Sequence, residues 1–205
     1  MADWIRRSYD GVGLTQVPPG PHLRTLQARY GGTVMLLIDV SGSMCGSPLV
    51  EAVRGARAFV SEAIEAHYEV GVLLWNHAVV EASEPSSNGK AAEKVLRHAS
   101  ASGGNDLLIP LRWCHDLFRR FDGDRVVAIF GDGDLTPKEA VLQKVAEMKA
   151  ENIRFVTRGL GAMAAREFGK ISSEEPSRTE VKDVRSLAAG IAAMAGSLRK
   201  AGSST

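Results

Sequence analysis

Cysteine is nearly absent: Cys45 and Cys114 are the two in 205 residues, and their spacing offers no disulfide framework. The opening MADWIRRSYDGVG lacks the apolar stretch of a signal peptide, so the expected setting is cytoplasmic and reducing. No apolar run approaches the roughly 20 residues that cross a bilayer. Neither sign of charge is in excess, since 25 basic and 24 acidic side chains leave +1 with no Lys/Arg-rich run. That balance argues against nucleic acid or a membrane surface as partner. The chain also has no GxxxxGK[ST] segment, and no GxSxG after a strand, which removes phosphate-loop enzymes and serine hydrolases.

What is present is an alternation of short apolar runs with amphipathic ones. A chain of 205 residues favours one domain that buries roughly 70% of its extended surface. Residues 1–30, broken by VPPGP at 17–21, read as an N-terminal arm; 31–200 as the domain; 201–205 as a frayed tail. TVMLLI (33–38), YEVGVLLW (68–75), RVVAIF (125–130) and IRFVT (153–157) read as strands, the apolar ones covered on both faces. AVVEA (78–82) is expected to form a hairpin with the second strand, and TEV (179–181) a last short strand. Helices are expected from Ser47 as cap with Pro48 behind it, over 90–99, over 107–121, from a capping box at Thr136, Pro137 and Glu139 to about 151, and along the stripe Leu187, Ile191, Met194 and Leu198. Residues 162–180 read as irregular. This order predicts an α/β fold: a doubly wound, mainly parallel sheet, helices on both faces, one antiparallel edge strand.

Ligands of such sheets gather at the carboxyl ends of the strands. There, DVSGSM places Asp39, Ser41 and Ser43 at alternate positions, so an extended chain points three oxygens one way. Asp132 leaves RVVAIF at the same rim. Two aspartates brought together repel unless a cation lies between them, and carboxylates with hydroxyls are hard donors of the kind Mg2+ takes.

DVSGSM, the loop GGND and the strand end FGDG together resemble the metal-ion-dependent adhesion site of a von Willebrand factor type A domain, and the order of elements over 33–200 is similar to that family. The resemblance implies metal ligands at Asp39, Ser41, Ser43, Asn105 and Asp132, with Asn105 standing where the family usually has threonine. It implies Mg2+, with Mn2+ or Ca2+ as alternatives, and a protein partner whose Asp or Glu completes the coordination shell. It also implies an adaptor rather than an enzyme, of the kind that serves MoxR-type AAA+ ATPases or other multi-protein systems.

Two other readings stay open: a metal-dependent hydrolase with His77 as general base, and a scaffold of the same fold that holds no metal. The remaining polar residues have plainer expectations. His77 reads as a solvated turn residue, Cys45 as an ordinary loop thiol, Asp106 as a helix cap, Asp134 as a turn residue, and His98 and His115 as helix residues without a role.

Overall fold

TVMLLI lies within a strand, β1 (Gly32–Asp39), whose every residue is buried. In this computed structural model, which describes residues 32–133 and 135–198, β1 is one of the two central members of a six-stranded sheet and both its edges are paired. The expected arm, the tail and Asp134 lie outside the described residues. After β1 come α1 (Ser47–Glu65), β2 (Tyr68–Trp75), β3 (Val79–Ala82), α2 (Lys90–Arg97), α3 (Leu108–Phe118) and β4 (Asp124–Gly131). The chain continues through α4 (Lys138–Ala150), β5 (Ile153–Leu160), α5 (Gly161–Gly169), β6 (Glu180–Val181) and α6 (Val184–Ala193). The strand order is β3-β2-β1-β4-β5-β6, parallel throughout except for the antiparallel β2–β3 pair.

Strand periodicity divides the core in two. Val34, Leu36 and Ile38 of β1 join Val126, Ala128 and Phe130 of β4 on the face covered by α1, α2 and α6. Met35 and Leu37 join Val127 and Ile129 on the opposite face, against α3, α4 and α5. Alternate side chains thus have an apolar neighbour whichever way they point, which is why these runs are continuous rather than alternating. The anticipated doubly wound sheet with one antiparallel edge strand is the architecture seen.

Four local expectations need correction. Residues 162–180 are not irregular throughout, because α5 occupies Gly161–Gly169 and buries Ala164, Ala165 and Phe168. Its cap position is Leu160, which offers no side-chain acceptor, so the usual start signal is missing. The capping box at Thr136 does not form as read: α4 begins at Lys138 with Pro137 in extended backbone at the cap, which leaves Thr136 outside the helix. At α1 the cap is Gly46, at φ 86, and Ser47 is already helical. The closing helix ends earlier than its stripe, at Ala193, and a tighter turn over Met194–Ser197 keeps Met194 and Leu198 buried. It opens on a capping box between Asp183 and Ser186.

The amino end of the sheet is closed by polar groups. Tyr68 donates to Asp124 and also lies 3.0 Å from the Leu198 carbonyl, while Arg154 Nε donates to Asp124 Oδ1 at 2.8 Å. Burial and the Asp124 carboxylate both push the Tyr68 hydroxyl above its ordinary pKa, so it stays a donor.

Candidate functional site

The chain leaves β1 toward β2 on one side and returns to β4 on the other, so the winding reverses between two adjacent strands. Loops from both strands diverge there and leave a crevice at their carboxyl ends. Asp39 is the last residue of β1 and Asp132 the first after β4. Asp39 has no exposed surface; its Oδ1 accepts the Ser41 amide at 2.7 Å, and its Oδ2 is buried without a hydrogen-bond partner in the protein. Burial, and then repulsion from Asp132, lifts the Asp39 carboxyl from 3.8 to about 6, against the lowering effect of the Ser41 hydrogen bonds.

The two serines link the aspartates. Ser41 Oγ lies 3.1 Å from Ser43 Oγ, and Ser43 Oγ donates to Asp132 Oδ1 at 2.9 Å. A short 3-10 turn over Gly42–Met44 holds this spacing. Convergence is therefore reached by a turn rather than by the extended chain the alternation suggested. The GGND loop is laced to the same turn, since Gly42 N donates to the Gly103 carbonyl at 3.0 Å and Ser102 N to the Val40 carbonyl at 2.8 Å. Asn76, at the end of β2, fixes the loop from behind, through Nδ2 to the Ser102 carbonyl at 2.8 Å and through its carbonyl to Asp106 N at 2.8 Å.

Asn105 projects from that loop toward Gly133. A Cβ added at Gly133 would lie 2.3 Å from Asn105 Nδ2 and 4.0 Å from Asp39 Oδ2, so only a glycine leaves room for this approach. Asn105 Oδ1, like Asp39 Oδ2, is buried with no hydrogen-bond partner in the protein. Five oxygen-bearing side chains thus meet at one rim: Asp39, Ser41, Ser43, Asn105 and Asp132. Among the described residues no group of three or more His, Cys, Asp and Glu is placed to hold a metal ion. A cation here would rest on two carboxylates and three neutral oxygens, a set suited to a hard divalent ion that keeps part of its charge.

Residues 34–134 match the family model described as the von Willebrand factor type A domain. The vWF domain of the type V pili tip protein Mfa5 from Porphyromonas gingivalis superposes with a TM-score of 0.73 at 11% identity, over 84% of this chain and 96% of that one. The fold is that of a von Willebrand factor type A domain. The pilus adhesin SpaC from Lactobacillus rhamnosus GG, in its open conformation, gives a TM-score of 0.68 at 12% identity, over 82% of this chain and 30% of that one. A von Willebrand factor A domain-containing protein of Dictyostelium discoideum is 24% identical over 156 residues, 73% of this chain and 17% of its own length. The chain thus spans less than a fifth of the curated relatives it matches, 17% and 18% of their lengths. Type A domains commonly mediate protein–protein interaction.

The other candidate residues have plainer places in this fold. His77 is exposed and packs behind the loop, since a Cβ on Gly103, at φ 76, would lie 2.6 Å from its Nδ1. Asp106 Oδ1 accepts from Leu108 N at 3.0 Å, but it stands one residue before the cap position of α3, which is Leu107 rather than the expected Asp106. Cys45 is exposed, and His98 pairs with Glu81 at 2.9 Å on the surface. His115 is buried in α3 with its Nε2 3.0 Å from Glu151.

Sequence reasoning missed half of the cleft into which the rim opens. This cleft, about 840 Å3, is lined on one side by Ser41, Ser43, Asn105 and Asp132 of the rim and on the other by Lys138, Met163, Arg166, Glu167 and Lys170. The last four recur at the 3, 4 and 7 spacing of a helix face, a signal available in a segment read as irregular.

Proposed function

We propose that this type A domain is a binding module, not an enzyme, that takes up one divalent cation at the rim and with it captures an acidic side chain of a protein partner. Asp39, Ser41, Ser43, Asn105 and Asp132 form the proposed ligand set, and Mg2+ is the proposed ion, with Mn2+ and Ca2+ as alternatives. The observation that carries the reading is the pair of buried, unpartnered oxygens on Asp39 and Asn105, both beside Gly133. Buried acceptors without a donor cost roughly 1–3 kcal/mol each, and a cation at this place offsets that cost.

Each residue has a separate task. Asp39 and Asp132 supply the negative charge, and Asp39 is held in orientation by the Ser41 amide. Ser43, whose hydroxyl now donates to Asp132, keeps a lone pair for a cation while retaining that donation. Asn105 offers its carboxamide oxygen from the opposite loop. When bound, a divalent cation supplies an open position that accepts a carboxylate oxygen from outside the chain.

Partners that present Asp or Glu fit this chemistry, and within a cytoplasmic multi-protein system a MoxR-type AAA+ ATPase is the adaptor target we favour. Hydrolysis would need a base beside the cation; His77 lies behind Gly103 and is not among the residues lining the cleft. The test is titration calorimetry and thermal melting with MgCl2 on the wild type and on Asp39→Ala. One saturable site and a raised melting temperature in the wild type alone support the proposal. No heat and no shift at millimolar metal would leave a metal-free scaffold as the reading.

A further inference from the structure

The cleft has a second wall that the cation reading does not use. Met163, Arg166 and Glu167 project from one face of α5, Lys170 follows at its carboxyl cap, and Lys138 joins them from the first residue of α4. Three cations face a single carboxylate here. Glu167 pairs with Lys138 at 3.1 Å and with Lys170, and the two lysines hold its carboxyl below the usual range. Arg166 is exposed and has no ion pair or hydrogen bond among the described residues. Met163 is 85% exposed, the most exposed of the large apolar side chains described.

We infer that this wall is a second recognition element for the partner, and that the occupant of the cleft is a protein segment carrying several acidic side chains and one apolar side chain. The inference rests on the proposed cation site, which takes the first carboxylate. Arg166 and the surplus positive charge of Lys138 and Lys170 take the next, through the bidentate geometry that guanidinium offers to carboxylates. Met163, flexible and polarisable, receives the apolar side chain. Charge complementarity argues for an acidic segment. The exposed methionine and the Glu167 carboxylate on the same face argue for a peptide over a phosphate chain. Exposed charges at the edge of a site act mainly on selectivity and association rate, so the wall chooses among partners that all carry one acid for the cation.

The test uses the full chain and two fluorescein-labelled peptides in a Gly/Ser background, one with a single Glu and one with three Glu and a Leu. In millimolar MgCl2 the tri-acidic peptide should bind the wild type about tenfold more tightly than the single-Glu peptide. Arg166→Gln with Lys170→Gln should erase that preference while leaving calorimetric Mg2+ binding and single-Glu affinity unchanged. Arg166→Lys should restore part of it, and Met163→Ala should weaken only the Leu-containing peptide. If Mg2+ binds and the double variant holds the tri-acidic peptide as the wild type does, the inference is overturned and the cation reading stands. If Mg2+ does not bind, the cation reading fails, and the wall is still read from the difference between wild type and double variant in chelator at low salt. An oligonucleotide of equal charge binding more tightly than the tri-acidic peptide also overturns the inference, as does no binding of that peptide to the wild type.

Discussion

Asp39→Asn separates the structural from the electrostatic role of the buried rim carboxylate. The carboxamide oxygen still accepts the Ser41 amide, whose bond to Asp39 Oδ1 is 2.7 Å, but the charge is gone. In the metal-free protein that charge is a burden, because the Asp39 carboxyl sits at about 6 in the fold against 3.8 ordinarily. The folded value lies above the unfolded one, so the stability Asp39 contributes is fully present below pH 3.8, fades as pH rises, and is lost above about 6. At 1.36 kcal/mol per pH unit, the wild type should lose about 3 kcal/mol across that window relative to Asp39→Asn. The new amide brings unsatisfied N–H groups that cost roughly 1–3 kcal/mol at every pH. That cost cancels when the variant is compared with the wild type at two pH values. The assay is urea denaturation of both proteins in chelator between pH 4 and pH 8. Parallel stability curves would refute the argument, because they would mean that Asp39 titrates alike in the folded and unfolded chain. Millimolar Mg2+ at about a hundredfold excess over Kd should then return about 2.7 kcal/mol to the wild type at pH 8 and little to the variant.

Three further outcomes are expected. Asn105→Ala should weaken Mg2+ binding in calorimetry while Asn105→Thr preserves most of it; equal affinity of wild type and the Ala variant would take Asn105 out of the ligand set. Gly133→Ala should displace the Asn105 carboxamide, which the new methyl would meet at 2.3 Å, and so reduce Mg2+ affinity with little change in urea midpoint, since a side-chain end yields easily. Glu174→Ala should cost about 3–5 kcal/mol in urea denaturation, because it strands Arg158, whose side chain is 6% exposed and lies 2.5 Å from Glu174; a loss under 1 kcal/mol, the range of an exposed pair, would show that this pair is effectively solvated.

The central strands were legible because VMLLI (34–38) and VVAIF (126–130) hold no polar residue, and only a sheet covered on both faces buries such runs. The rim aspartates were legible for a related reason, as each ends one of those runs. α5 was not, because GAMAAREFG opens without a cap and its buried residues are mostly alanines, too small to give a periodic apolar signal. It packs close on β5 because Gly159 has no side chain: a Cβ there would lie 2.3 Å from Ala165 N. The approach of Asn105 to Gly133 was equally hidden, since it depends on the spacing of two loops 28 positions apart in sequence. Arg166 and Lys138 stand in different helices, and only the finished topology places both on one cleft.

The outer strands carry a consequence for how this molecule meets others. β3 has four residues and a register shift where Leu74 passes to Trp75, and β6 has two. A sheet recruits foreign backbone through a long, straight row of unpaired amides and carbonyls, and among the described residues neither margin of this one supplies such a row. Fibre-like stacking of copies is discouraged at both sides. Among the described residues, what is left for joining other molecules is side chains and loops, surfaces that can part without disturbing the sheet.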